Sequence, residues 1–368
     1  MRKTSPTILL VRVKAYSPSL VLPQRLDFVL PLWQRMPNLS IKQLSISPIR
    51  RLGYYLGYLT AFIFAVPKVI FTSYDFLVLE NPYLTFFSPF AWFRRKKILA
   101  EYVDYYPANL RRLYNERRFR YSMAVLICRF FHRYVHYLTA ESKTALNTLT
   151  NLGVPPKKVQ IVTVGIDTKT MIFDSDLRKE IRSRIDAEGS DCIVIGYLGK
   201  IVKYYNLEVI PQTLIHLKKH FAQIADRACL LVVGEGPYRN ELESLCRPIG
   251  IRNVVFTGSI PHKDINGYYS AMDLFLFPLD ALAIKVAELM AIGTPIVAPP
   301  GMAQDWIVDG KTGIIARSNS PEGFAGAILR YLNLSSEEKK LMKRSSQKFC
   351  HDELDIRNIA RTYLSFFS

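Results

Sequence analysis

A series of short, branched, apolar runs separated by helix-length segments constrains this chain more than any other feature. In the first half they are Ile8–Val13, Phe76–Leu79, Lys97–Ala100, Val135–Thr139 and Gln160–Val164. In the second half they are Cys192–Leu198, Cys229–Val233, Val254–Phe256, Leu274–Phe277 and Ile296–Ala298. Runs this short and this uniformly apolar suit strands buried on both faces, which is the environment of a parallel sheet covered by helices. The intervening segments read as helices from about Leu52 and from Leu207 to Phe221, the βα alternation of a parallel α/β sheet. Two successive sets predict two such sheets, with ligands bound at the carboxyl ends of the strands.

At 368 residues the length suits two domains. The boundaries read from the sequence are 1–170 and 171–350, followed by 351–368 as a C-terminal helix packing back on the first domain. Charge divides along the same line. Residues 1–170 carry 25 Lys+Arg and 8 Asp+Glu, whereas residues 171–368 carry 24 and 23. Nearly all of the net charge of +18 therefore belongs to the first domain, and the two domains should meet different partners. A basic surface suits nucleic acid, anionic lipid or a phosphorylated substrate, and it is equally the form of a plain solvated face. The pattern Leu110–Tyr137 concentrates the charge. It carries Arg111, Arg112, Arg117, Arg118, Arg120, Arg129 and Arg133 among residues such as Tyr121, Phe130, Phe131 and Tyr134. Such a helix either lies on an anionic membrane or packs its aromatic stripe into the domain and shows arginine to water. Nothing resembling a helix-turn-helix or an aromatic RNA-binding strand accompanies it, so nucleic acid is not expected.

The five cysteines are scattered and odd in number, which fits a reducing compartment. No secretory leader is read at the N-terminus, because Arg12 and Lys14 end the apolar run Ile8–Val11 too early. The uncharged stretch Leu52–Pro67 falls short of the roughly 20 residues of a membrane span, leaving a core helix or one that dips into a bilayer.

The densest chemistry lies in Asp280-Ala-Leu-Ala-Ile-Lys-Val-Ala-Glu288-Leu-Met-Ala-Ile-Gly293-Thr-Pro-Ile-Val-Ala. Ile284 to Ala291 read as a short helix, Gly293 as its left-handed exit, and Ile296–Ala298 as a buried strand. Glu288 is a charge in an apolar helix, so it either finds a partner in a hydroxyl-rich ligand or lies on a solvated edge.

This segment resembles the signature of the family-4 glycosyltransferases, enzymes of GT-B architecture that use nucleotide-sugar donors. Their pattern sets an acidic residue eight positions before a glutamate, met here by Asp280 and Glu288. Lys285, three residues before the glutamate, matches a sub-pattern of the family. Further elements follow in the family's order: Val164-Gly165-Ile-Asp167, Gly196-Tyr-Leu-Gly199-Lys200, Val233-Gly-Glu-Gly236, Val255-Phe-Thr-Gly258 and Tyr269-Ser-Ala-Met-Asp273. The first 95 residues match in layout only, and Val13-Lys-Ala-Tyr-Ser-Pro18 replaces the family's first glycine-rich loop.

The resemblance implies a GT-B fold, two Rossmann-like parallel-sheet domains facing a central cleft, and a retaining, metal-independent hexosyltransferase. Glu288 would accept from the ribose hydroxyls and Asp280 from the donor sugar. The diphosphate would meet Lys285, Lys200 and the helix start at Leu282, Ala283 and Ile284. Lys203 stands near the place of a second basic residue that Tyr204-Tyr205 occupies. Gly199, Gly234 and Gly236 would shape the donor loops. The family's acceptor-side histidine is missing, with Glu101 or Asp104 in its neighbourhood. No cofactor and no metal are expected beyond the nucleoside-diphosphate sugar. The acceptor would be lipid-linked or anionic and met at the cytoplasmic face of a membrane, which the basic first domain would hold peripherally. A soluble glycan acceptor, or a non-catalytic membrane- or partner-binding protein of the same fold, are the alternatives that the same residues allow.

Overall fold

The computed structural model describes residues 5–13, 25–48, 53–102, 122, 125–126, 129–188, 191–279 and 283–367. The chain divides into two compact units, one formed by residues 1–165 with 356–368 and the other by residues 166–355. The division falls after Gly165, and the last helix belongs to the first unit.

The first unit is built on a parallel sheet of β1 (Thr7–Val13), β2 (Ser40–Ile46), β3 (Phe76–Leu79), β4 (Lys97–Tyr102), β5 (Tyr137–Ala140) and β6 (Val159–Ile161). Their order is β2-β1-β3-β4-β5-β6. The two-residue period of a strand divides the apolar runs between two cores. Leu9, Val11, Leu77, Leu79, Ile98 and Ala100 point to one face, where Ala65 and Val69 of the helix Gly53–Phe71 cover them. Ile8, Leu10, Val78 and Leu99 point to the other, under the helices Arg25–Gln34 and Ile356–Ser365. There the Trp33 indole meets Tyr363 edge-on at 5.3 Å and Phe367 at 5.6 Å.

The second unit repeats the plan with β7 (Ile193–Leu198), β8 (Ala228–Val233), β9 (Asn253–Gly258), β10 (Leu274–Leu276), β11 (Ile296–Ala298) and β12 (Ile314–Ile315). Their order is β12-β11-β10-β7-β8-β9, again all parallel. Reversal of strand order about β7 leaves a gap in the connections beside its carboxyl end, the usual ligand position in such sheets.

Two sequence expectations shift at their edges. The Gly53–Phe71 helix continues past Pro67, whose ring lies on the exposed side. The helical turn before β5 runs on to Val135, whose N–H donates to the His132 carbonyl at 3.2 Å, so β5 begins later than read. Most of Leu110–Tyr137 lies outside the described residues, which within it are 122, 125–126 and 129–137. Among the described residues no helix is long and apolar enough to cross a membrane.

Candidate functional site

The carboxyl edge of the second sheet is where glycine turns from three strands meet. After β7, the Gly199 N–H donates to the Val233 carbonyl at 2.9 Å, and after β8 the Gly234 N–H donates to the Gly258 carbonyl at 2.9 Å. Gly234 sits at φ 137, and a Cβ there would stand 1.9 Å from the Gly199 carbonyl oxygen. Both observations exclude a side chain, so one loop nests directly on the backbone of the next.

Facing these turns is the helix Ile284–Ile292, which begins at Ala283 in extended conformation and has no side-chain cap. In its first turn the Val286 N–H donates to the Ala283 carbonyl at 2.9 Å, no side chain caps the turn among the described residues, and its N–H groups carry the positive end of the helix dipole. Its other end closes as the sequence indicates, with Gly293 left-handed at φ 81 and its N–H bonded to the Leu289 carbonyl at 2.8 Å.

Lys285 and Glu288 lie one turn apart on this helix. The Lys285 ammonium donates to the Leu198 carbonyl at 2.9 Å and lies 5.2 Å from the Tyr197 ring centre and 6.0 Å from that of Tyr205. Burial pushes its pKa down to about 8, and Glu288 only partly offsets this. Glu288 is buried, so the solvated-edge reading does not hold. Its Oε2 accepts from the Tyr269 hydroxyl at 3.0 Å, and its Oε1 lies 3.8 Å from Nε2 of the exposed His262. Burial raises the carboxyl pKa, while Tyr269, His262 and Lys285 pull it back down. An ammonium, a carboxylate and an uncapped helix start thus adjoin one strand edge, a set suited to a ligand with both anionic and hydroxyl groups.

Lys200 is exposed at the end of β7, and its carbonyl accepts from the Tyr197 hydroxyl at 2.8 Å. Lys203 is turned to the surface, 3.5 Å from Glu241 and 5.8 Å from the Tyr238 ring centre. Ala283 and Ile284 form the helix start. Gly236 packs against the Ile201 backbone, where a Cβ would stand 2.1 Å from the carbonyl oxygen. Asp280, Leu282 and Asp104 lie outside the described residues. Glu101 is fully buried and accepts from Thr139 at 3.4 Å and from the Tyr363 hydroxyl of the last helix, a core position. Asp273 also proves structural, accepting from the Val194 N–H at 2.9 Å and from Arg178 and Arg182 at the opposite edge of the sheet.

Sequence reasoning missed Tyr197, Tyr205, Tyr269 and His262 as neighbours of Lys285 and Glu288. Tyr197, Tyr205 and Tyr269 stand inside motifs that were read, but only the fold shows which way their rings turn. The Asp-x-Asp spacing at Asp174–Asp176 is a helix cap, with Asp174 Oδ1 accepting from the N–H groups of Asp176 and Leu177 at 3.1 and 2.9 Å. Among the described residues no group of three or more His, Cys, Asp or Glu side chains is arranged to hold a metal ion.

Residues 192–334 match the family model described as "Glycosyl transferases group 1". A GDP-mannose-dependent alpha-(1-6)-phosphatidylinositol monomannoside mannosyltransferase of Mycolicibacterium smegmatis is 27% identical over 185 residues, 47% of this chain and 47% of the relative. The alpha-monoglucosyldiacylglycerol synthase of Streptococcus pneumoniae is 25% identical over 243 residues, 62% of this chain and 53% of the relative. The chain spans about half the length of the curated relatives it matches. Among solved structures, Anabaena HepE in complex with UDP superposes with a TM-score of 0.77 at 14% identity, covering 98% of this chain and 99% of that one. At that identity the likeness speaks for the fold, and the fold is GT-B.

Proposed function

We propose that this GT-B protein, whose second unit belongs to the group 1 glycosyl transferases, moves a sugar from a nucleoside diphosphate to an acceptor hydroxyl with retention of anomeric configuration. The observation that carries the reading is the placement of Lys285 and Glu288 one turn apart on a helix whose start has no side-chain cap, at the carboxyl edge of the sheet. The bond from the anomeric carbon to the diphosphate breaks, a bond from the same carbon to the acceptor oxygen forms, and the acceptor proton leaves with the diphosphate. In this reading Lys285, Lys200 and the N–H groups of Leu282, Ala283 and Ile284 receive the negative charge of the leaving group. Lys203 supplies a more distant positive charge. Glu288 Oε1 accepts from the ribose, leaving Oε2 on Tyr269, and Asp280 accepts from the donor sugar. Gly199, Gly234 and Gly236 admit the nucleotide close to the backbone. Positive charge from lysines and amides makes the reaction metal-independent in this reading. Asp104 serves the acceptor in this reading, since Glu101 is engaged in the core.

The acceptor in this reading is lipid-linked or phosphate-bearing, reached from the cytoplasmic face of a membrane. Two facts support it. Residues 1–170 hold nearly all of the positive charge of the chain. The two relatives described above are named for a phosphatidylinositol monomannoside and a diacylglycerol product. An anionic soluble glycan would meet the same charge and is the second reading.

Donor hydrolysis tests the enzyme reading. Purified protein should release nucleoside diphosphate slowly from one of UDP-glucose, GDP-mannose, ADP-glucose or dTDP-glucose, and Asp280→Asn should abolish release while retaining affinity for the bare diphosphate. Binding without hydrolysis of any of the four would instead mark a non-catalytic protein of this fold.

A further inference from the structure

We infer that the first unit docks on an anionic lipid bilayer through the outer face of the Gly53–Phe71 helix and the adjoining end of the Ser88–Phe93 helix. This deepens the membrane part of the reading above and rests on it, but it is independent of the donor chemistry.

The helix Gly53–Phe71 buries Ala65 and Val69 in the sheet core, which accounts for one side of it. Its other side should then be polar, as on any helix of this kind. Instead Leu59, Ile63, Phe64 and Phe71 are exposed there, Phe64 by 70% and Phe71 by 83%, with Lys68 as the charge among them. Arg94 ties the end of this helix to that of the Ser88–Phe93 helix, donating from Nη1 to the Val69 carbonyl at 3.1 Å and the Thr72 carbonyl at 2.8 Å. At that junction Trp92 and Phe93 are exposed, their rings 5.4 Å apart. Exposed apolar side chains thus stand on both of the helices that Arg94 joins, six of them on two adjoining elements.

Its rim is cationic. Lys68, Arg95 and Lys97 are exposed around it, whereas Asp75 is the exposed acidic side chain between residues 53 and 100, since Glu80 is buried. Aromatic and aliphatic side chains framed by lysine and arginine match the boundary between acyl chains and anionic headgroups. Charge complementarity therefore selects a bilayer over a second copy of this chain, whose facing patch would be equally positive.

Trp92 supplies an internal probe, because Trp33 and Trp306 are buried. The full chain is mixed with vesicles of phosphatidylcholine alone or with added phosphatidylserine, with and without brominated acyl chains. We expect sedimentation with the anionic vesicles, a blue shift of tryptophan emission, and quenching by the brominated lipid. Trp92→Phe should remove the shift and the quenching. Phe64→Glu with Phe71→Glu should weaken vesicle binding about tenfold or more, because each ring loses its transfer into an apolar phase. The melting temperature and nucleotide affinity of that variant should stay unchanged, which separates lost docking from lost folding. Vesicle binding with Trp92 unquenched and the double variant unaffected would overturn this surface while leaving the membrane reading in place. Absence of binding to any vesicle would overturn both, and self-association of the wild type abolished by the double variant would reassign the face to a second copy.

Discussion

Lys285 sits where an ammonium is poorly solvated, near two tyrosine rings and with one backbone carbonyl as its hydrogen-bond partner. Its folded pKa of about 8 lies below the ordinary lysine value of 10.5. Holding the charge therefore costs stability below about pH 8, and that cost fades as pH rises toward 10.5. A bound diphosphate reverses the balance by supplying opposite charge, so the lysine should take up a proton on binding near pH 8 to 9. Calorimetry in two buffers of different ionisation enthalpy should show that uptake, and Lys285→Met should remove it. Affinity for the diphosphate should also fall as pH rises through 8. A wild-type affinity flat from pH 7 to 9.5 with no proton uptake would show that this ammonium does not meet the ligand. Glu288 was legible as an anomaly because a charge in Ile-Lys-Val-Ala-Glu-Leu-Met-Ala has no ready place in an apolar helix. Its partner was not legible. Tyr269 lies 19 residues earlier on another helix, and only the packing of the two elements brings its hydroxyl to the carboxylate.

At the scale of elements, strands buried on both faces announced themselves, and of the edge strands β6 and β9 were read as apolar runs whereas β2 and β12 were not. The run Phe76–Leu79 reads as a strand because every residue is apolar, and it is β3. β2 carries Lys42, Gln43 and Ser45 because it borders the sheet and is largely exposed, so its composition looks like a loop. β12 has two residues, too few for any periodicity to show. Loop nesting at the site is an element-scale property too, and two glycines separate its energetics. Gly234→Ala should lower the melting temperature and nucleotide affinity together, since its Cβ would stand 1.9 Å from a backbone oxygen that can move only with the β7 loop. Gly326 lies in the middle of the helix Pro321–Leu332 with nothing within 4 Å of an added Cβ. Gly326→Ala should therefore stabilise the protein by about 0.5–1 kcal/mol through helix propensity, with affinity untouched. Thermal or urea unfolding of both variants checks the contrast, and a destabilised Gly326→Ala would contradict it.

At the scale of the whole molecule, the last helix completes the first unit's core although it follows the second unit in sequence. Trp33 donates to the Ala360 carbonyl at 3.4 Å, and Tyr363 donates to the buried Glu101. Removing residues 356–368 should expose Trp33 and leave Glu101 without that donor, a loss of several kcal/mol for a buried carboxylate and an aromatic core. The first unit should then unfold early, with red-shifted tryptophan emission, while the second keeps its nucleotide affinity. Loss of both together would mean that the units do not fold separately. The two-sheet plan was legible because βα alternation is a local pattern; the return of the chain end was expected over 351–368, and the helix that makes it is Ile356–Ser365, whereas its partners Trp33 and Glu101 show only in the fold. Of all measurements, nucleotide binding bears most directly on the central claim that Lys285 and Glu288 form a donor site. In a thermal-shift screen with UDP, GDP, ADP and dTDP, one nucleotide at 100 times its dissociation constant should add about 2.7 kcal/mol of stability. Glu288→Gln, which still accepts from Tyr269, should keep the fold and weaken that binding. Failure of all four nucleotides to stabilise the wild type, or an affinity unchanged in Glu288→Gln, would contradict the account.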